Sequence, residues 1–342
     1  MRIHFVLQPD SGVNLARYGL LAEELGFDTV WTANTLSARA PFIALAPLAW
    51  QSRSLRLGPV AVSPFEQHPL KIASSLLTLN EFARGRASIV IGGGGGTIIG
   101  MGLKPRRTSN YPRMVRGVRE CVELLRLAAR GQPLSYEGQL YRVEGYAPTW
   151  VEDPPPHIYV AANKPQMLRL AGEVGDGVML SDIGLPFLDA TLAEIDRGLL
   201  RGGRTRNGFR VNNLIAWHVK PSRAAAYDEA RRMLWVRGIW ERARIAPHLT
   251  TAECDLVQRN LGNWQQAYAA GSADIPGVPQ KIVDTLVDNL TLTGDEGDVD
   301  RLTDKLLHFA DAGITETSLR LYDQPDAAMR LIATKVVPAL HG

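Results

Sequence analysis

Five consecutive glycines, Gly92 to Gly96, follow the apolar run Ser88-Ile89-Val90-Ile91. Glycine packs no side chain and loses the most backbone freedom on folding, so a glycine run directly after a strand implies that something approaches the main chain closely. N–H groups exposed there can meet a phosphate or let a flat ring lie against the chain. No Gly-Lys-Ser/Thr follows, which excludes a Walker A loop, and the run lacks the first-strand position of a dinucleotide fingerprint. The plainer alternative is a flexible spacer. A second constellation is Ala161-Ala162-Asn163-Lys164-Pro165. Two small residues end a strand and Pro165 suits the first position of a helix, so an anion at that helix N-terminus is one reading and an ordinary turn capped by Asn163 is the other. A third is Val60 to Pro69, VAVSPFEQHP, where His68 stands at a helix start. General acid, phosphate donor and surface cap are all open to it. Asp176 reads most simply as a turn residue, while Asp182 after the next strand is open to catalysis. No His-x-His pair, no His-Glu-x-x-His and no clustered carboxylates occur at strand ends, so a metal-dependent hydrolase is unsupported. No convincing acid and base pair is offered either.

The elements that must position these groups alternate from the first residue onward. Strand-like runs fall at Ile3 to Leu7, Phe27 to Trp31, Leu55 to Val62, Ala87 to Ile91, His157 to Ala162, Gly177 to Leu180, Val211 to Val219 and Thr317 to Leu321. Helical patterns lie between them, with Gly26 placed as a helix-ending residue, and this is how parallel sheets are built, each crossover helix returning the chain to the same edge. Tyr136 to Val143, with a Glu137-Gly138 turn, reads as a small hairpin outside the main sheet, and 236–280 as an inserted helical region. Eight strands with intervening helices predict an α/β fold, a (β/α)8 TIM barrel with insertions, built as one domain over 1–342. In such a barrel the chemistry sits where strands end and the following loops begin.

Composition narrows the function classes. The chain has 342 residues, 45% hydrophobic and 21% charged, enough apolar surface to form a core. Lys plus Arg number 38 against 35 Asp plus Glu, a net charge of +3 that does not argue for nucleic acid. No eighteen apolar residues run together and MRIHFVLQ is unlike a signal peptide, so no membrane partner and a cytoplasmic location are expected. Two cysteines exclude a disulfide framework or a zinc cluster. Cys121 shares a helical face with Val118, Val122 and Leu125, an inert core position, and Cys254 lies in a polar helical stretch.

Taken in order, these pieces resemble the bacterial-luciferase-like superfamily, in particular its methylenetetrahydromethanopterin reductase and deazaflavin-dependent glucose-6-phosphate dehydrogenase branch. The carrying residues are Leu21-Ala22-Glu23-Glu24-Leu25-Gly26-Phe27-Asp28, Leu57-Gly58 through His68-Pro69, Gly85-Arg86, the glycine run, Tyr136-Glu137-Gly138, Ile158 to Ala162 and Ala171-Gly172-Glu173-Val174-Gly175-Asp176-Gly177-Val178. The resemblance implies a luciferase-like barrel holding coenzyme F420, ahead of FMN, at its C-terminal mouth. It implies cofactor contacts at Thr32 after strand two, at a non-prolyl cis peptide Val60-Ala61 behind the isoalloxazine ring, and at Ser63. Further implied contacts are Gly93 and Gly94 in the loop, Ala161 and Ala162 at the end of strand five, and Asn163 and Lys164 on the phosphate side with Gln166 nearby. Hydride transfer between the deazaflavin and a small organic substrate is the implied activity, in a homodimer. An FMN-dependent monooxygenase and a non-catalytic flavin-binding barrel are the alternatives. Departures bear on the chemistry: the Asp-His pair of many deazaflavin enzymes falls on Thr32 and Ala33, an acid after strand four on Gly95, and a glutamate near the end of strand one on Val6. No catalytic residue is assigned.

Overall fold

The structure, a computed structural model, describes residues 1–8, 11–95, 101 and 107–341. Gly96 therefore lies outside the described residues. Two compact units form, one of Arg2–Leu180 with Ala190–Asn212, the other of Met1, Ser181–Asp189 and Asn213–Gly342.

The first unit carries β1 (Arg2–Leu7), β2 (Thr29–Ala33), β3 (Arg56–Val60), β4 (Ser88–Ile91), β7 (His157–Ala161) and the start of β8 (Gly177–Ser181). They are short and almost wholly apolar because helices cover them, the pattern of strands buried on both faces. Pairing is parallel throughout, with Val6 opposite Trp31 in β1 and β2, Ala33 opposite Val60 in β2 and β3, Ile91 opposite Val160 in β4 and β7, and Ala161 opposite Met179 in β7 and β8. Bridges at Leu57–Ala87 and Val62–Ile91 tie β3 to β4. Gly58 makes that approach feasible, since a Cβ there would stand 1.9 Å from the Ser88 carbonyl oxygen. Trp31, fully buried, packs edge-on to Tyr159 at 5.3 Å beneath the strand ends.

Helices α1 (Gly12–Glu24), α2 (Pro41–Gln51), α3 (Pro69–Phe82), α4 (Arg107–Ala128), α5 (Pro165–Val174) and α6 (Leu188–Arg201) return the chain between strands. Ser11 caps α1 by accepting from the Asn14 N–H, and Gly26 ends it at φ 84° as its glycine position predicts. The hairpin of β5 (Leu134–Glu137) and β6 (Arg142–Tyr146) pairs only with itself, as expected. Its turn differs from the expected Glu137-Gly138. Glu137 is still paired with Arg142, and the connection runs through 138–141 because the Glu120 carboxylate of α4 accepts the N–H groups of Gln139, Leu140 and Tyr141.

In the second unit β9 (Arg210–Val219) continues from Asn213, paired in parallel with β10 (Leu292–Gly294), and β11 (Glu316–Arg320) follows later in the chain. β10 is absent from the sequence reading, three residues being too short for alternation to register. The helical character expected for 236–280 is present as α8 (Arg242–Ile245), α9 (Thr251–Arg259) and α10 (Leu261–Ala270). With α7 (Arg223–Met233) and α11 (Gln280–Leu290) they enclose an apolar cluster that includes Leu234, Ile245, Val257, Trp264 and Leu286. Cys254 belongs to that cluster, 1% exposed, so its polar sequence surroundings mislead about its own side chain. Cys121 is likewise buried, and burial holds its thiol protonated.

Candidate cofactor site

The C-terminal ends of β3, β4 and β7 converge on residues almost without side chains. A Cβ placed on Gly92 would lie 3.1 Å from the Ala161 Cβ and 3.4 Å from the Ala61 Cβ. Ala61, Gly92 and Ala161 thus form one floor in which adding a single methyl already crowds two neighbours. The β-ladder holds its level, with Val62 N–H on Val90 O at 2.8 Å, Gly92 N–H on Val62 O at 2.9 Å and Ala162 N–H on Met179 O at 3.1 Å. The Val60–Ala61 peptide is cis, at the position expected for it.

The glycine run divides into two parts. Gly93 is explained by packing, since a Cβ there would meet the Met114 sulfur at 2.5 Å. Gly94 and Gly95 have φ of 86° and 32°, and nothing lies within 4 Å of a Cβ on Gly95. Both positions favour glycine for backbone conformation, and among the described residues Gly95 has no neighbour that a side chain would strike.

Beside the floor, α5 begins with Lys164 as N-cap and Pro165 in the first turn, and no side chain caps it. Asn163 is therefore not the cap that the plainer reading of this turn assigns to it. Without a cap, the N–H groups at 166 and 167 and the positive end of the helix are available to an anion. Lys164 and Gln166 are exposed, Asn163 half-buried and Ala162 buried.

Two expected contacts prove to have structural work of their own. The Thr32 hydroxyl, 5% exposed, donates to Leu7 O at 3.0 Å, so its proton braces β1 against β2. Ser63 is fully buried, its hydroxyl accepting from Phe65 N–H at 3.2 Å and its own N–H donating to Glu66 Oε1 at 2.8 Å. His68 takes the cap reading: its Nδ1 accepts from Leu70 N–H at 3.2 Å at the start of α3. Asp176 is the turn residue it reads as, with Oδ2 accepting from Ile158 N–H and Oδ1 from Arg126.

Sequence reasoning passes over Asn34 and Glu66. Asn34 Nδ2 donates to Ala61 O at 3.0 Å and to Glu66 Oε1 at 2.6 Å, and that oxygen also receives the Ser63 N–H. The floor is thus fixed by a carboxylate and an amide from the loops after β2 and β3. A signal was present, because Ser63-Pro64-Phe65-Glu66 has the S-x-x-E spacing in which a glutamate reaches back to a backbone N–H. Among the described residues no group of three or more His, Cys, Asp or Glu is placed to hold a metal ion.

Comparison with known proteins places this architecture. The family profile for luciferase-like monooxygenases matches residues 6–316. The chain belongs to that family. Among family relatives, the 5,10-methylenetetrahydromethanopterin reductase of Archaeoglobus fulgidus is 28% identical over 330 residues, 95% of each chain. The coenzyme F420-dependent tetrahydromethanopterin reductase of Methanopyrus kandleri superposes with TM-score 0.83 over 99% of both chains at 21% identity. An FMN complex of the oxygenating constituent of 3,6-diketocamphane monooxygenase, from Pseudomonas putida, matches with TM-score 0.67 at 21% identity, over 99% of this chain and 98% of that one. The fold is accordingly the (β/α)8 barrel expected from the strand and helix alternation, of the luciferase-like kind that the resemblance implies.

Proposed function

We propose that this luciferase-like chain is an oxidoreductase that binds coenzyme F420 on the Ala61–Gly92–Ala161 floor and exchanges a hydride with a small organic substrate. The observation that carries the reading is the floor itself: three adjacent parallel strands end in Ala61, Gly92 and Ala161, with no side chain larger than a methyl group. A tricyclic ring fits such a surface, and the uncapped start of α5 next to it suits the phosphate that follows the ribityl chain of either candidate cofactor. When bound, the cofactor supplies the two-electron chemistry, leaving orientation to the protein.

The chain's own contribution is positional. Val60, Ala61, Gly94, Ala161 and Ala162 shape the ring surface, Gly93 leaves room for Met114 at its edge, and Thr32 on β2 and Ser63 after β3 are the adjoining polar groups. Asn163, Lys164 and Gln166 serve the phosphate end. Asn34 and Glu66 hold the Ala61 carbonyl and the Ser63 amide in place, so the wall behind the ring does not shift when substrate arrives. F420 stands ahead of FMN because the coenzyme F420-dependent Methanopyrus enzyme superposes more closely, with TM-score 0.83 against 0.67 for the FMN-bound monooxygenase. The FMN-bound neighbour keeps an FMN monooxygenase as the second reading.

Titrating the purified protein with F420 and with FMN separates the two: sub-micromolar binding of F420 and weak binding of FMN is the expected result. Oxygen uptake by the reduced complex would instead favour the monooxygenase. A cytoplasmic homodimer is part of the proposal, supported by an α2 helix without a charged residue whose Ile43 and Trp50 are 76% and 66% exposed. A monomeric mass in solution at micromolar concentration would remove the dimer.

A further inference from the structure

The opposite ends of the same strands carry charge where the floor carries small residues. Arg2, Arg56, His157 and Arg210 are the first residues of β1, β3, β7 and β9, and all four lie in the first unit. Side chains two apart on a strand share a face. Tyr159 meets Trp31 although β7 and β2 are not paired neighbours, and Asn212 Nδ2 lies 3.2 Å from His4 Nδ1 although β9 and β1 are not. Such contacts pass through the barrel interior, so His157, Arg210 and Arg2, each two positions earlier, belong to the same inner faces at the N-terminal mouth. Arg56 completes the layer: burial, and after it the charge of Arg210, lowers its pKa, and Arg210 Nη1 donates to His157 Nδ1. The neighbouring carboxylates are engaged. Asp28 meets His4, Arg2 and Thr29, and the two oxygens of Asp176 are held by Arg126 and the Ile158 N–H. Arg56 Nη1 is buried with no hydrogen-bond partner, a state that costs more than an ordinary bond gains. Arg2 is exposed, and Arg56, His157 and Arg210 are half-buried, so the mouth is within reach of dissolved ions.

We propose that this layer binds a small oxyanion of the sulfate or phosphate class, with Arg56 as its principal contact and Arg210 as the second charge. The chemistry of the layer sets the class. A guanidinium presents a planar fork of N–H donors and no acceptor, which suits the paired oxygens of a tetrahedral oxyanion. Two guanidinium charges close enough to repel attract a divalent anion more strongly than either does alone. His157 accepts from Arg210 through Nδ1, so its proton sits on Nε2 and the ring's other edge is a donor as well. The site is separate from the phosphate end of the cofactor: it lies at the start of β7, whereas Lys164 and the uncapped start of α5 follow the end of that strand. Its effect falls on the fold. An anion there offsets charges that push the starts of β3 and β9 apart, and because it binds the folded chain only, it stabilises that state by mass action.

The test compares sodium sulfate with sodium chloride at equal ionic strength, on the full-length protein without cofactor, which separates binding from screening. Sulfate should raise the unfolding temperature with half-saturation at about 1 mM. It should also raise the His157 pKa, followed by NMR, from about 4: an anion beside the ring offsets Arg210, Arg56 and Arg126, the charges that act with burial to lower it, and joins Asp176, which raises it. Exclusion of sulfate from protein surfaces is stabilising in general, but it singles out no histidine and does not depend on Arg56. Arg56→Met should weaken the sulfate response by about tenfold or more, since it removes the charge-assisted bonds. The His157 titration is read on the unaltered chain, so it decides the matter even if that variant folds poorly. Lys164→Glu, beyond the other end of β7, should keep the full response. A His157 pKa equal in sulfate and chloride, an undiminished response in Arg56→Met, or a response lost in Lys164→Glu would each overturn the assignment.

Discussion

The strand ends of the two units are built on opposite plans. At the ends of β3, β4 and β7 the chain uses Ala61, Gly92, Gly94 and Ala161, and the polar atoms there belong mostly to the backbone. In the second unit the strand ends carry large polar side chains that bind one another. Asp182, after β8, pairs through Oδ1 with Arg237 Nη1 at 2.8 Å, both side chains under 5% exposed, and Arg237 also donates to Tyr322. Arg244 donates to the carbonyls of Ser181 and Asp182. On β9, His218 lies stacked on Tyr322 and shares Glu229 with Lys220 at 2.7 Å each. Burial holds His218 neutral against the pull of Glu229, so its Nδ1 serves as the donor in that contact. One region ends its strands in main chain and methyl groups; the other satisfies its own charges. Asp182, which by sequence is open to catalysis, belongs to the second plan: it anchors the segment at Arg237 and Arg244 within its unit.

The largest effect that would test this contrast is Arg237→Met. It leaves the buried Asp182 carboxylate uncompensated and should lower stability by about 3–5 kcal/mol, measured by urea unfolding. Replacing both partners, Asp182→Leu with Arg237→Met, should recover much of the loss, because no orphaned charge remains. A loss under 1 kcal/mol for the single variant would mean that the pair contributes no more than a surface bridge.

The second effect is pH-dependent and belongs to the first unit. Burial, with Arg210 and Arg56 close by, lowers the His157 pKa to about 4 from its ordinary 6.5. The unfolded chain therefore binds a proton that the folded chain refuses between those values. Stability is fully present above pH 6.5 and falls as the pH drops toward 4, with a slope of at most about 1.4 kcal/mol per pH unit from this group. Asp28 acts in a different window. Burial pushes its pKa up, but the hydrogen bond and charge of His4 outweigh that and bring it to about 2, so its contribution is lost only below the ordinary carboxylate value of 3.8. His157→Gln should flatten the unfolding free energy between pH 6.5 and 4.5 and leave the steeper loss below pH 4 intact.

Much of this was legible in the sequence, and the parts that were not have a common cause. Strand positions follow from local periodicity, which is why β1 to β4 fall within two residues of their expected ends. The glycine run and the Ala-Ala end of β7 are also local signals. What periodicity cannot convey is which long polar side chain reaches which distant backbone group. Glu120 closing the hairpin, Asn34 and Glu66 bracing Ala61 and Ser63, and Arg237 seeking Asp182 across 55 residues are all of that kind. The division of the glycine run is of that kind too, since Met114 alone explains Gly93.

That division gives a smaller test on the side of the floor. Gly94→Val adds a branched side chain at φ 86°, where the main chain should face the cofactor, and should weaken F420 or FMN binding about tenfold, or 1.4 kcal/mol, with the fold retained. Gly93→Ala meets only the flexible end of Met114 and should leave affinity within about threefold. Equal losses at both positions would point to loop distortion in place of a cofactor contact.

The smallest effect expected is also the most discriminating about the phosphate end. Lys164 is exposed, so its attraction to a phosphate is screened by water and salt, and Lys164→Glu should cost FMN binding only about 1 kcal/mol. The same substitution places a negative charge at the uncapped N-terminus of α5, where it interacts favourably with the helix dipole by about 0.3–1 kcal/mol. Fold and ligand therefore respond with opposite signs: thermal stability of the free protein should hold or rise while FMN affinity falls. Riboflavin, which has no phosphate, completes the argument. Its affinity should change little in Lys164→Glu, because the ring end of the site at Ala61, Gly92 and Ala161 is untouched. If riboflavin and FMN lost affinity equally, or if the free protein were destabilised, Lys164 would be acting through the β7–α5 turn and the phosphate would have to be placed elsewhere.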